Sequence, residues 1–125
     1  MKKNNYLKKF FLNGKVAIVV GGYGLMGYEI SKALNDAGAK VVILDLSENK
    51  KKKIRGINFI KYDCKNYQNF ENELKNIKKK IGFPQVYINA SYPSSKDWAS
   101  NTFEAITLNS FRENIDLQLN SFTFM

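Results

Sequence analysis

The stretch from Val16 to Gly27 limits the fold more than any other. Val16-Ala17-Ile18-Val19-Val20 is a five-residue apolar run that empties into Gly21-Gly22-Tyr23-Gly24-Leu25-Met26-Gly27 and then into a helical pattern. Such a run suits a strand buried on both faces. Glycines at 21, 24 and 27 let the following backbone turn tightly and approach a ligand with no Cβ in the way. A helix starting there aims unpaired N–H groups, and the positive end of its dipole, at an anion. The stretch has two readings: a cradle for a pyrophosphate, or an ordinary strand–turn–helix connection with spare glycines.

The rest of the chain repeats the alternation. Residues 1–13 read as a basic, aromatic lead-in, partly mobile, with Phe11 and Leu12 against the first strand at 15–20. Leu25, Met26, Ile30, Ala33, Leu34 and Ala37 fall on one broad helical face, and Gly38 sits where a left-handed cap stops a helix. Residues 40–45 predict a second buried strand ending in Asp45, 47–53 a lysine-rich loop or short helix, and 57–63 a third strand. Tyr67, Phe70, Leu74, Ile77 and Ile81 predict an amphipathic helix, with Asn66 as its cap and Gly82-Phe83-Pro84 as its stop. Residues 85–90 predict a fourth strand. Asn101-x-x-Glu104 and Ser110-x-x-Glu113 have capping-box spacing and predict two helix starts. The last helix carries Phe111, Ile115, Leu117, Leu119, Phe122, Phe124 and Met125, apolar over more than one face, as for a helix wedged between a sheet and another helix.

A continuous strand–helix series of this length is one α/β domain with a doubly wound parallel sheet, spanning 14–125. The formal charge of +9 comes from lysines spread over clusters at 2–3, 8–9, 50–53 and 78–80. These read as solvated faces; no arginine-rich or aromatic-interleaved stripe points to nucleic acid. The one cysteine, Cys64, makes no internal disulfide and fits a reducing cytoplasm. With no histidine, Ser-His-Asp and Cys-His nucleophilic schemes and His-ligated zinc are excluded within this chain, and no metal site is expected. The apolar segment after Met1-Lys2-Lys3 is too short for a signal peptide, and no run approaches membrane-spanning length.

Ligands of doubly wound sheets bind at the carboxyl ends of the strands. Four features fall there: the glycine turn, Asp45, Asp63, and Asn89-Ala90-Ser91. Asp45 follows Gly21 by 24 positions, near the roughly 20-residue offset at which a carboxylate accepts from a ribose 2′-hydroxyl. A carboxylate there repels a 2′-phosphate, which favours NAD over NADP, although Lys50 to Lys53 lie close by. Alternatively, Asp45 is a strand-end polar residue or a helix cap.

Leu12-x-Gly14-Lys15-Val16-Ala17-x-Val19-x-Gly21-Gly22, then Asp45, Asp63 and Asn89-Ala90, resemble the short-chain dehydrogenase/reductases from about residue 12 onward. Asn89 to Pro93, Lys96-Asp97-Trp98, Phe103-Glu104 and Phe111 to Asn114 further resemble a branch linked to surface-glycan or flagellin modification. The resemblance implies a Rossmann-type domain. Gly21, Gly24 and Gly27, with Gly22, Tyr23, Leu25 and Met26 between them, would line the pyrophosphate turn. Asp45, with Leu46 next to it, would hold the adenosine ribose. Asp63 and the backbone at Cys64 would meet the adenine, and Asn89, Ala90 and Ser91 would flank the cofactor. Val20, Leu25 and Ile88 depart from the usual pattern.

The family's Ser and Tyr-x-x-x-Lys acid/base residues would lie beyond Met125 by register. Tyr28 to Lys32 and Tyr92 to Lys96 match the spacing but sit on the cofactor helix and in the loop after strand four. Gln118 stands at the position of the family's assisting Asn. The expectation is thus the cofactor-binding half of an oxidoreductase acting on a small carbonyl or alcohol, truncated after four strands and a long helix and inactive alone. It would leave strand four as an unprotected edge and associate with a second copy through the last helix. The alternatives are a non-enzymatic dinucleotide-binding module or redox sensor, and a basic binding protein whose glycines are incidental.

Overall fold

The computed structural model describes residues 6–52 and 54–125; the expectations for residues 1–5 and Lys53 fall outside it. Four strands form one parallel sheet in the order β3-β2-β1-β4. They are β1 (Val16–Val20), β2 (Lys40–Asp45), β3 (Asn58–Lys61) and β4 (Pro84–Asn89). Three helices connect or follow them: α1 (Leu25–Asp36), α2 (Phe70–Lys80) and α3 (Leu108–Phe124). The predicted alternation is therefore present. Parallel neighbours need crossover connections, and these carry α1 and α2 to opposite faces of the sheet.

Strand alternation divides the core in two. Val16, Ile18, Val20, Val42 and Leu44 pack with Phe70 and Ile77 of α2, together with Tyr62 and Met125. Ala17, Val19, Val41 and Ile43 point the other way, towards Ile30 and Leu34 of α1 and towards Leu12. β1 is buried along its whole length because it has a paired strand on each side and a helix on each face. Leu12 packs as expected, whereas Phe11 is exposed, following a 3-10 turn over Tyr6–Phe10. β4 pairs with β1 alone among the described strands, which makes it a sheet edge.

α1 stops as the sequence predicts: Gly38 takes a φ of +92° and its N–H donates to Asn35 O. Several other local expectations are corrected. Leu25 and Met26 are not on the core face of α1 but 89% and 74% exposed, because the side buried against the sheet is that of Gly27 and Ser31. Asn66 makes no side-chain cap; a 3-10 turn at Tyr67–Asn69 precedes α2 instead. Asn101-x-x-Glu104 starts no helix, and Asn101 Nδ2 donates to Ser110 Oγ.

The final helix begins earlier than predicted, with Thr107 as its cap: Thr107 Oγ1 accepts from Ser110 N at 3.1 Å. Its orientation also differs. The buried positions are Ser110, Asn114 and Ser121, while Leu108, Phe111, Ile115, Leu119, Phe122 and Phe124 are exposed. The helix is not wedged between a sheet and another helix. It turns a polar stripe inward, where hydrogen bonds hold it, and an apolar stripe outward. Among the described residues, no helix is long and apolar enough to cross a membrane.

Candidate functional site

A cleft of about 670 Å³ runs across the carboxyl ends of the four strands, within the size range of small-molecule and cofactor sites. It brings together most of the sequence-predicted residues. Gly21, Tyr23, Gly24, Leu25 and Met26 line one side, Asp45 and Leu46 the β2 end, Asp63 and Cys64 the segment after β3, and Ala90 and Ser91 the exit of β4. Gly22, Gly27 and Asn89 are not in its lining; they support it from behind.

The glycine turn is packed too closely for side chains. Gly21 has a φ of +71°, and a Cβ there would stand 2.8 Å from Ser91 Cα. At Gly27 a Cβ would meet Gly21 O at 2.1 Å, and at Gly22 it would meet Ile43 Cγ1 at 2.7 Å. Gly27 thus lets α1 seat directly on the turn, while Gly22 lets the turn lie on β2. Gly24 is the N-cap of α1 and has no side chain to bond the first amides of the helix, and the first turn holds no acidic residue. An anion in the cleft would meet that positive helix end without a competing carboxylate on the same turn.

Asp45 ties this turn to β2. Its Oδ2 accepts from Tyr23 N and its Oδ1 from Leu46 N, both at 2.8 Å. Each carboxylate oxygen keeps a second lone pair, so the side chain can still accept from two ligand hydroxyls. Lys52 Nζ donates to Tyr23 O at 3.3 Å and stands 5.0 Å from the Tyr28 ring centre. This hydrogen bond sets Lys52 against the turn beside Asp45.

Across the cleft, Asp63 Oδ1 accepts from Lys65 N, and Lys65 Nζ donates to Ser94 O at 2.5 Å. Cys64 is half-buried, and burial pushes its thiol up. Asn89 Oδ1 accepts from both Ser91 N and Ser91 Oγ, whereas the buried Asn89 Nδ2 has no partner among the described residues.

The sequence reading missed Tyr62, Lys65, Tyr92, Pro93 and Ser94 as cleft residues. Tyr62 donates to Asn66 O at 2.5 Å, and burial pushes its phenol up to about 12. Its place beside Asp63 at the strand end was the available signal. Gln118 is outside the cleft lining, half-buried on α3. Lys32 pairs with Glu29 at 3.0 Å, and Tyr92 OH accepts from Trp98 Nε1, so neither Tyr-x-x-x-Lys match forms a tyrosine–lysine hydrogen bond.

A parallel sheet with a glycine turn after its first strand, a carboxylate ending its second and a cleft over the strand ends is the architecture of the nucleotide-cofactor α/β domains. More narrowly, the chain belongs to the short-chain dehydrogenase family, whose model matches residues 15–125. Its fold resembles the crystal structure of gox2181 at a TM-score of 0.77 and 25% identity, over 93% of this chain and 47% of that one. A short-chain dehydrogenase from Leptospira borgpetersenii serovar Hardjo-bovis, crystallised with bound NAD+, aligns at a TM-score of 0.73 and 22% identity, over 99% of this chain and 47% of its own. A curated relative, the NADP-dependent dehydrogenase clz5 of Cochliobolus lunatus, is 44% identical over 45 residues, 36% of this chain and 16% of that protein. The chain thus spans about half the length of these solved structures and less of the curated relative.

Proposed function

We propose that this chain binds a nicotinamide dinucleotide, NAD in preference to NADP, as the cofactor half of an oxidoreductase acting on a small carbonyl or alcohol. One observation carries the reading: the glycine turn and the Asp45 carboxylate, joined by the Tyr23 N–H bond, share one cleft with the exits of β3 and β4. The cofactor, when bound, supplies the hydride acceptor or donor. Gly21 to Gly27 hold the pyrophosphate against the uncapped start of α1, and Asp45 accepts from the adenosine ribose. Asp63 and Cys64 bound the adenine, and Ala90 and Ser91, steadied by Asn89, flank the cofactor beside β4. Asp45 disfavours a 2′-phosphate by charge, while Lys52 moderates that preference.

In this reading, residues 14–125 are the cofactor domain and 1–13 its lead-in. Turnover requires an acid/base set that these 125 residues do not include, with Gln118 at the assisting position acting through water. The domain works in a reducing cytoplasm, and two copies associate through the outward stripe of α3. NADH fluorescence titrated with the chain tests the reading: saturable enhancement is expected, with weaker binding of NADPH. No saturable change contradicts it and leaves a basic binding protein with incidental glycines. Carbonyl reduction by the 125 residues alone would overturn the assignment of a cofactor half.

A further inference from the structure

Residues 91–97 form no strand or helix, yet Tyr92, Pro93 and Ser94 of this loop line the cleft. A segment without ladder hydrogen bonds keeps a fixed position where other groups, side chains among them, supply its partners. Here two side chains grip adjacent residues from opposite sides. From the segment after β3, Lys65 reaches Ser94 O at 2.5 Å, joining the third and fourth strand exits. From α3, Asn114 engages Ser95: its Oδ1 accepts from Ser95 N at 2.9 Å, and its Nδ2 donates to Ser95 Oγ at 2.7 Å.

Asn114 is 1% exposed, and its Nδ2 also donates to Ser110 O at 2.8 Å. Acceptor and donor are thus both used, which fixes the orientation of the amide. Ser95 Oγ in turn donates to Asp97 Oδ1 at 2.5 Å, extending the grip to the end of the loop. We propose that Lys65 and Asn114 are positioning residues that hold the 91–97 loop so that its residues 91–94 wall the far side of the dinucleotide cleft, a role that rests on the cofactor reading above. Neither acts on the reacting atoms. They set the distance between the Asp63 side and the Ser91 side, and so the fit of a flat ring between them.

The chain's single tryptophan, Trp98, reports on this loop, because its Nε1 donates to Tyr92 OH at 3.0 Å. The experiment compares acrylamide quenching of Trp98, the NADH Kd and the thermal midpoint in wild type, Lys65→Ala, Lys65→Arg and Asn114→Ala. The Lys65 bond is exposed, so its loss opens the loop locally without unfolding the domain. Lys65→Ala is expected to raise quenching about twofold with an unchanged midpoint and to raise the NADH Kd about tenfold. Lys65→Arg restores both. Asn114→Ala moves quenching and Kd in the same direction and also lowers the midpoint.

Wild-type quenching and Kd in Lys65→Ala would overturn the proposal. A weaker Kd with unchanged quenching would overturn it too, because Lys65 would then act through its charge on the ligand alone. If wild type binds no NADH, the proposed function fails, and with it the cofactor part of this role; the quenching comparison still decides whether the two side chains hold the loop.

Discussion

At the β1–α1 side of the cleft the backbone packs against itself at Gly27, which seats on Gly21 O, and Gly22 leaves room for the Ile43 side chain, so that a Cβ has no space at either. At the β4–α3 side the backbone is irregular, and side chains fix it, through Lys65 to Ser94 and Asn114 to Ser95. The first arrangement has no adjustable part, because a glycine contact is met or broken. The second is a set of separate hydrogen bonds that can be removed one at a time. The two sides should therefore respond differently to substitution, the first by loss of global stability and the second by graded loosening of the loop.

The largest effect is expected at the rigid side. Gly27→Ala places a Cβ 2.1 Å from a backbone oxygen, and displacing α1 to relieve it should cost about 3 kcal/mol, read by urea denaturation. On the other side, Asn114→Ala leaves the buried Ser95 N without its acceptor and takes one of two partners from Ser95 Oγ, and should cost about 2 kcal/mol in the same assay. A Gly27→Ala chain as stable as wild type would remove the contrast between the two sides.

Asp45→Ala sharpens the comparison at the junction. It removes the acceptor of the Tyr23 and Leu46 amides and, with it, a charge-assisted link between turn and β2. The NADH Kd should rise about tenfold, while the preference for NADH over NADPH narrows. Unchanged preference would mean that Asp45 is a structural tie only.

A smaller effect concerns Tyr62, between the two sides. Its folded pKa of about 12 lies above the unfolded value of 10.0. Between these values the unfolded chain releases the proton while the folded chain keeps it, so stability falls as pH rises from 10 to 12. Tyr87, also pushed up to about 12 by burial, contributes in the same direction. Tyr62→Phe should flatten that decline in denaturation midpoints measured across the range. The smallest effect is expected for Leu119→Gln on the outward stripe of α3: monomer stability should change by no more than about 0.5 kcal/mol, while sedimentation should show less self-association.

The contrast also explains what could be read from the sequence. β1 and β2 were legible because strands buried on both faces leave uninterrupted apolar runs, Val16 to Val20 and Val41 to Leu44. Asp45 was legible because its distance from the glycine turn is set by one strand–helix–strand unit. The α3 side was obscured because its contacts are polar and depend on tertiary partners. Asn114 is buried by its bonds to Ser95, not by hydrophobicity, and Ser110 and Ser121 are small enough to face inward. The apolar residues of α3 signalled a core that lies on its other side. Leu25 and Met26 misled for a related reason: in a helix beginning at a cleft, apolar residues of the first turn face the cleft.

The most direct measurement is amide chemical-shift mapping of the isotopically labelled chain during titration with NAD. Saturable shifts are expected at Gly21, Tyr23, Asp45, Asp63, Cys64 and Ser91, at the carboxyl ends of the strands, with the exposed stripe of α3 unchanged. Shifts absent from those residues, or centred on the lysine-rich surfaces instead, would contradict the cofactor reading.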